Sequence, residues 1–231
     1  MKEQWALFID IDDTIFDFQA CAKPAFLAAC QACGWKVDEE AFALFQKWDH
    51  ELWKEQKEGT LTVEGLFKKR ALRFSKLFGE GKEASRFQPA FHRLLSQQTV
   101  LVDGVADCLP DLARQYPMYA ASNGSLSMQA ERLERAGLRN YFQDLFVSDD
   151  LGAEKPNRRF FETCLQRSGK TAQKSLMIGD SLTSDICGAK NAGWMTLWFH
   201  SESEDTEHPK ADETLGSWKE IAAFLLTKED K

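Results

Sequence analysis

The chain has 231 residues, of which 43% are hydrophobic and 28% charged, and a net charge of −7. That length builds one large or two small domains with a sizeable core, and the composition is that of a soluble globular protein. The acidic balance argues against a nucleic-acid polymer or an anionic membrane as the main partner, since each needs a cationic face.

Residues 5–9 form a short apolar run without alternation, which reads as a buried strand. Asp10, Asp12 and Asp13 follow it, then Thr14. Acids at the end of a buried strand are costly unless something positive compensates them. In an open α/β sheet that end is where ligands bind. Residues i and i+2 of an extended strand end point the same way, so Asp10 and Asp12 read as a pair facing one pocket, with Asp13 facing elsewhere. Such a pair suits a divalent cation and reaction chemistry. The plain alternative is an Asp-rich surface turn. A calcium loop fits worse, because its sixth position is Ile15 and its twelfth is Cys21, neither of the types required.

Residues 17–98 read as helical throughout. A helix over 22–33 stops at Gly34. Residues 38–56 carry Phe42, Phe45, Trp48, Leu52 and Trp53 on one face. A third helix spans 62–78 behind a Thr62 cap, and a fourth spans 83–95, where Pro89 is expected to break or kink it. Strand and helix then alternate: helix 105–115, strand 118–121, helix 126–136, strand 145–148, helix 158–168, strand 175–179, helix 184–192, strand 195–199, a polar loop over 201–213, and helix 217–226. That order predicts an α/β fold, a parallel sheet with helices on both faces. The helical stretch is a module inserted after the first strand.

Cysteines stand at 21, 30, 33, 108, 164 and 187. The CxxC of Cys30 and Cys33 has no second CxxC and no nearby histidine, and it closes a helix instead of opening one. It fits neither a zinc site nor a redox motif. Reduced thiols in a cytoplasmic protein are the expectation. The chain start has no signal-peptide core, and no apolar run approaches the ~18 residues of a membrane span.

Four stretches stand out in order: Asp10-Ile11-Asp12-Asp13-Thr14, Ala121-Ser122-Asn123-Gly124, Glu154-Lys155-Pro156, and Gly179-Asp180-Ser181-Leu182-Thr183-Ser184-Asp185. Together they resemble the four motifs of the haloacid dehalogenase-like (HAD) hydrolase superfamily, from about residue 5 to about residue 200. The resemblance implies a Rossmann-like doubly wound core over 1–16 and 99–231, with 17–98 as an α-helical cap that closes over the site.

The resemblance makes Asp10 a nucleophile that forms an aspartyl-phosphate. Asp12 then protonates the leaving oxygen and later deprotonates water. Thr14 orients the loop, or is a turn residue only. The hydroxyl of Ser122, the amide of Asn123 and nearby backbone N–H groups can donate to phosphate oxygens, with Gly124 allowing close approach. Alone, Asn123-Gly124 would read as an ordinary turn. Lys155, held extended before Pro156, can neutralise Asp10 and the transferring group. Asp180 is the expected metal ligand beside Asp10, with the Asp12 carbonyl as a third by resemblance. Hard oxygen donors suit Mg²⁺. Asp185 either orients water or Lys155, or is simply an acid favoured in the first turn of a helix.

The details of the first and last motifs look most like the pyrimidine-type 5′-nucleotidase branch. Asn157 departs from the aspartate common after the Lys-Pro pair. Phe16 and Phe18 are expected at the hinge, lining the pocket. One of Trp35, Phe42, Phe45, Trp48, Trp53 and Phe67 could stack a base, although such a stripe is more often core. The implied activity is a Mg²⁺-dependent phosphatase acting on a small phosphorylated metabolite, a pyrimidine nucleoside 5′-monophosphate. Phosphoglycolate or sugar-phosphate phosphatases and a phosphosugar mutase remain alternatives. Asp12 argues against a 2-haloacid dehalogenase. A non-catalytic binding module would lack one of Asp10, Asp12, Lys155 or Asp180. A monomer or homodimer is expected.

Overall fold

The computed structural model describes residues 5–79, 84–200 and 211–227. Residues 1–4 and most of the expected 201–213 loop lie outside that description. The chain divides into two compact units, Phe18–Val100 on one side and Met1–Asp17 with Leu101–Lys231 on the other.

The first unit is helical: α1 (Phe18–Ala32), α2 (Glu39–Lys57), α3 (Val63–Phe78) and α4 (Ala84–Leu95). Gly34 takes a left-handed φ of 78° just past α1, and Thr62 caps α3 by accepting from the Gly65 N–H. α4 runs unbroken through Pro89. Phe87 and Phe91, both buried, flank that proline and anchor the helix on either side of the lost hydrogen bond. The aromatic rings pack on each other: Phe26 against Phe45 at 4.9 Å and Phe74 at 5.2 Å, Trp35 on Phe87 at 5.2 Å, Phe42 on Phe45 at 5.7 Å. Trp35, Phe42 and Phe45 are buried, so these three fill the core of the unit. Arg70 is buried too, paired with Asp49 at 2.5 Å and surrounded by the Phe45, Phe67 and Phe91 rings. Its Nε donates to Gln88 at 3.3 Å, and Gln88 meets His92 at 2.6 Å.

The second unit holds one sheet of β1 (Ala6–Ile9), β2 (Met118–Ser122), β3 (Phe142–Val147), β4 (Ser175–Gly179), β5 (Met195–Phe199) and β6 (Glu213–Leu215). The order is β3-β2-β1-β4-β5-β6 and every pairing is parallel. β1, β2 and β4 are buried at every residue, which is why they read as unbroken apolar runs. The remaining helices are α5 (Val105–Gln115), α6 (Leu126–Arg135), α7 (Ser148–Leu151), α8 (Arg158–Ser168), α9 (Gly188–Asn191) and α10 (Trp218–Thr227). On one face Phe8 stacks on Tyr119 at 4.9 Å and meets Trp194 at 4.4 Å. The strand order reverses at β1, between β2 and β4, so the carboxyl ends of these three neighbours open on one crevice.

Several elements differ from the sequence expectation: β3 begins at Phe142 instead of 145, and α7 follows it where no helix was expected. β6 extends the sheet at 213–215, at the end of the expected 201–213 loop, where no strand was expected, pinned by Asp212, whose carboxylate accepts from the Thr196 N–H at 2.9 Å and hydroxyl at 2.8 Å. The helix expected over 184–192 begins earlier as a π-helical turn, Leu182–Cys187, and ends as α9. Gly188 there lies against Phe161, where a Cβ would fall 2.6 Å from the ring.

Burial, reinforced by Arg70, lowers the His92 pKa to about 4. Unfolding returns it to its ordinary value near 6.5, so between these limits the unfolded chain binds more protons and acid favours unfolding. Urea unfolding of the wild type should therefore lose on the order of 2 kcal/mol between pH 7 and pH 4.5 that a His92→Gln variant does not lose. An identical pH dependence in both proteins contradicts a neutral, half-buried His92.

Candidate active site

The loop after β1 is tightly wound. The Asp10 N–H donates to Ile178 at 2.9 Å, continuing the sheet, and the Ile15 and Phe16 N–H groups both donate to Ile11, at 2.8 and 2.9 Å. Asp13 sits at the turn with a left-handed φ of 58°, exposed where Asp10 is buried. Thr14 is fully buried; its Oγ1 donates to Asp180 Oδ1 at 3.3 Å, and its carbonyl accepts from Trp218 Nε1 at 2.8 Å.

Lys155 stands at the centre. Its Nζ donates to Asp10 Oδ1 and Asp185 Oδ1, both at 2.6 Å, and to the Ala121 carbonyl at 2.7 Å. The Lys155 backbone is clamped by the Asn123 side chain, whose Oδ1 accepts from the Lys155 N–H and whose Nδ2 donates to the Lys155 carbonyl, each at 2.7 Å. The Asn123 amide thus carries Lys155 through both of its ends, and its NH₂ keeps a second N–H. The Lys155–Pro156 peptide is cis.

Asp185 is fully buried, and its Oδ2 accepts from the Ser181 N–H at 3.1 Å. The carboxylate lies against the Gly179 backbone, where a Cβ would fall 2.3 Å from Oδ2. Any side chain at 179 would displace Asp185, which accounts for glycine there. The Asp180 carbonyl accepts from Trp198 Nε1 at 2.7 Å. Ser122 is buried, and its Oγ accepts from Gln129 Nε2 at 3.1 Å. Gly124 lies close by, where a Cβ would meet Gln129 Nε2 at 3.3 Å.

Asp12 has partners of its own. Oδ1 pairs with Arg132 Nη1, and Oδ2 accepts from Gln129 Nε2 at 2.7 Å. The Arg132 guanidinium also covers the Phe16 ring at 4.3 Å, and Phe16 is fully buried, so it packs beneath Arg132 instead of lining a pocket. The sequence does not single out Gln129, Arg132, Trp198 or Trp218. Its one legible signal is in α6, where Gln129 and Arg132 share the buried face with Met128 and Leu133. A cation on an apolar face implies a distant acid, but not which one.

Burial raises the Asp10 carboxyl; Lys155 opposes that, Asp185 and Asp180 reinforce it, and the result stands well above the usual carboxylate range. Burial opposes the Lys155 charge as well, but Asp10 and Asp185 outweigh it and hold the ammonium protonated. Three carboxylates, Asp10, Asp180 and Asp185, cluster together, and the Lys155 ammonium held by Asp10 and Asp185 offsets one of them, leaving two formal negative charges in excess. One oxygen from each acid lies within 4.8 Å of the others. Opposite ligands of an octahedral Mg²⁺ site are about 4.2 Å apart, from bonds of about 2.1 Å. Charge and donor type therefore suit a hard divalent cation, and the acids lie close enough together to close on one.

The family model for haloacid dehalogenase-like hydrolases matches residues 6–193. Pyrimidine 5′-nucleotidase PynA of Streptococcus pneumoniae is 34% identical over 209 residues, covering 88% of each chain. A glyceraldehyde 3-phosphate phosphatase of Methanothermobacter thermautotrophicus is 30% identical over 207 residues, covering 87% of this chain and 88% of its own. The crystal structure of the HAD-hydrolase YfnB from Bacillus subtilis, bound to magnesium, superposes with a TM-score of 0.87 at 29% identity, covering 97% of this chain and 99% of that one. Among the described residues no helix is long and apolar enough to cross a membrane.

A ligand that binds only the folded state stabilises it by mass action, by about 2.7 kcal/mol at a hundred times its dissociation constant. Mg²⁺ added to metal-free protein should raise the thermal midpoint, and Asp180→Asn should remove most of that rise. A midpoint indifferent to Mg²⁺ would contradict a cation site built from these acids.

Proposed function

This chain belongs to the haloacid dehalogenase-like hydrolases, and we propose that it is a Mg²⁺-dependent phosphomonoester hydrolase that forms an aspartyl-phosphate on Asp10, with a pyrimidine nucleoside 5′-monophosphate as substrate. The observation that carries this reading is the Lys155 ammonium, 2.6 Å from both Asp10 and Asp185, two acids that group with Asp180 at the carboxyl edge of the sheet.

In this reading Asp10 attacks phosphorus with the carboxylate oxygen that Lys155 does not hold. Lys155 neutralises charge on the attacking acid and on the equatorial phosphate oxygens. The Ser122 hydroxyl and the backbone N–H groups of the Asn123-Gly124 turn donate to the same oxygens. Asp12 gives a proton to the leaving oxygen, then takes one from the water that attacks the aspartyl-phosphate, releasing inorganic phosphate and restoring Asp10. Asp10, Asp180 and the Asp12 carbonyl would hold Mg²⁺, with Thr14 steadying Asp180 and Asp185 steadying Lys155. When bound, the ion supplies further neutralisation of the phosphate charge.

These groups serve any phosphomonoester. The nucleotide preference is supported by the likeness to PynA and by the motif details, while the glyceraldehyde 3-phosphate phosphatase relative makes a triose phosphate the natural competitor.

Asp10→Asn should lower kcat by more than about a hundredfold in a protein that remains folded by circular dichroism, since losing a covalent nucleophile usually costs far more than that. Residual turnover above that level rules out the covalent route. Under one Mg²⁺ condition, kcat/KM for UMP and dTMP should exceed that for glyceraldehyde 3-phosphate, phosphoglycolate and hexose phosphates. A preference for any of the latter overturns the nucleotide assignment and leaves the phosphatase chemistry standing.

A further inference from the structure

Asp12 is the group that the proposed reaction asks to move protons. Resting on that reading, we infer that Gln129 and Arg132, on the buried face of α6, are positioning residues that fix the Asp12 carboxylate for proton transfer to the leaving oxygen.

Both carboxylate oxygens of Asp12 are held, by different donors. Arg132 Nη1 takes Oδ1 and Gln129 Nε2 takes Oδ2 at 2.7 Å. Two donors on two oxygens set the rotation of a carboxylate plane as well as its place, which one donor cannot do. Gln129 and Arg132 are fully buried, whereas the Asp12 side chain is 30% exposed. The acid is therefore gripped from the protein interior and presents its remaining edge outward.

The grip is itself fixed. Arg132 Nη1 also donates to Gln129 Oε1 at 3.1 Å, so the Gln129 amide must turn its NH₂ toward Asp12. The same Nε2 donates to Ser122 Oγ at 3.1 Å. One amide thus sets the spacing between the proton-transfer acid and the hydroxyl assigned to the phosphate. Arg132 holds the β1 loop at a second point by covering the Phe16 ring at 4.3 Å, and Phe16 forms a bridge with Asp12. A guanidinium buried only for packing would need a counter-ion. It would not need a second residue joining that counter-ion to Ser122.

The test separates orientation from stability. An alkoxide must be protonated as it leaves, while 4-nitrophenolate leaves without that help, so a misdirected Asp12 harms alkyl phosphates selectively. Gln129→Leu and Arg132→Lys should lower kcat/KM for the best alkyl phosphate among UMP, dTMP and glyceraldehyde 3-phosphate by about tenfold or more beyond their effect on 4-nitrophenyl phosphate. Lysine keeps the charge at 132 but loses the planar fork that reaches Asp12 and Gln129 together. In an Asp12→Asn background the extra loss should vanish, because the group being positioned is gone. Gln129→Leu removes no charge, so it decides the matter even if Arg132→Lys does not fold. Equal losses on both substrates, or a selective loss that persists in Asp12→Asn, overturn the positioning role while the phosphatase reading survives. Wild-type protein that hydrolyses neither substrate overturns both.

Discussion

The ammonium of Lys155 is the contact on which the site depends. It reaches Asp10 beyond β1, the Ala121 carbonyl in β2 and Asp185 beyond β4, so one cation joins the ends of three adjacent parallel strands. Such a meeting is possible because parallel strands deliver all their carboxyl ends to one edge, and because the strand order reverses at β1. A lysine this buried would lose its charge without acids around it. Equally, Asp10 and Asp185 could not both remain ionised without it. Each is tolerated because the other is present, and Asn123 fixes the Lys155 backbone so that the meeting does not drift.

The charges fall into two groups that do different things. Asp12 and Arg132 make a pair that balances itself. Asp10, Asp180 and Asp185 against Lys155 do not balance, and the surplus is negative. A site with that surplus has use for a cation of charge two; burial first, and then Asp185 and Asp180, hold the Asp10 carboxyl up against the opposing pull of Lys155. Local neutrality around Asp12 and local imbalance around Asp10 thus divide the loop in two, which the proposed reaction would use for protons and for phosphate respectively.

How legible the molecule is in its sequence depends on the range of each interaction. Strands β1, β2, β4 and β5 announce themselves as apolar runs, since both faces of a parallel sheet are covered. β6 does not: its three residues, Glu213–Leu215, are only partly buried or exposed, and a strand at the edge of a sheet needs no apolar run. The π-helical turn at 182–187 reads in sequence as a helix starting late, because local propensity says nothing of Asp185 having to fold back onto Gly179 and Lys155. The motif acids are visible because they cluster in the chain. Arg132 and Gln129 are not, because their partner lies more than a hundred residues away. The aromatic stripe is plain as a set of residues, yet Trp35, Phe42 and Phe45 close on neighbours within their own unit instead of facing outward.

Asn157 and Asp185 show how structure separates a side chain that only caps from one that also holds a buried cation. Both positions lie near helix starts, where an acceptor is favoured in any protein. At 157 the side chain does only that, accepting from the Arg159 N–H at 2.9 Å. An amide oxygen serves as well as a carboxylate for such a bond, so the asparagine that departs from the family pattern keeps the cap intact. At 185 the side chain uses both oxygens, one on the Ser181 N–H and one on a buried ammonium, with no exposure to water. An asparagine there would keep one acceptor and bring an NH₂ into the same cage. If that NH₂ faced Ser181, two N–H groups would confront each other; if it faced Lys155, a donor would meet a cation. Neither orientation satisfies both partners. The capping explanation for Asp185 accounts for one of its two oxygens, and the second, on Lys155, ties it to the cluster of Asp10 and Lys155.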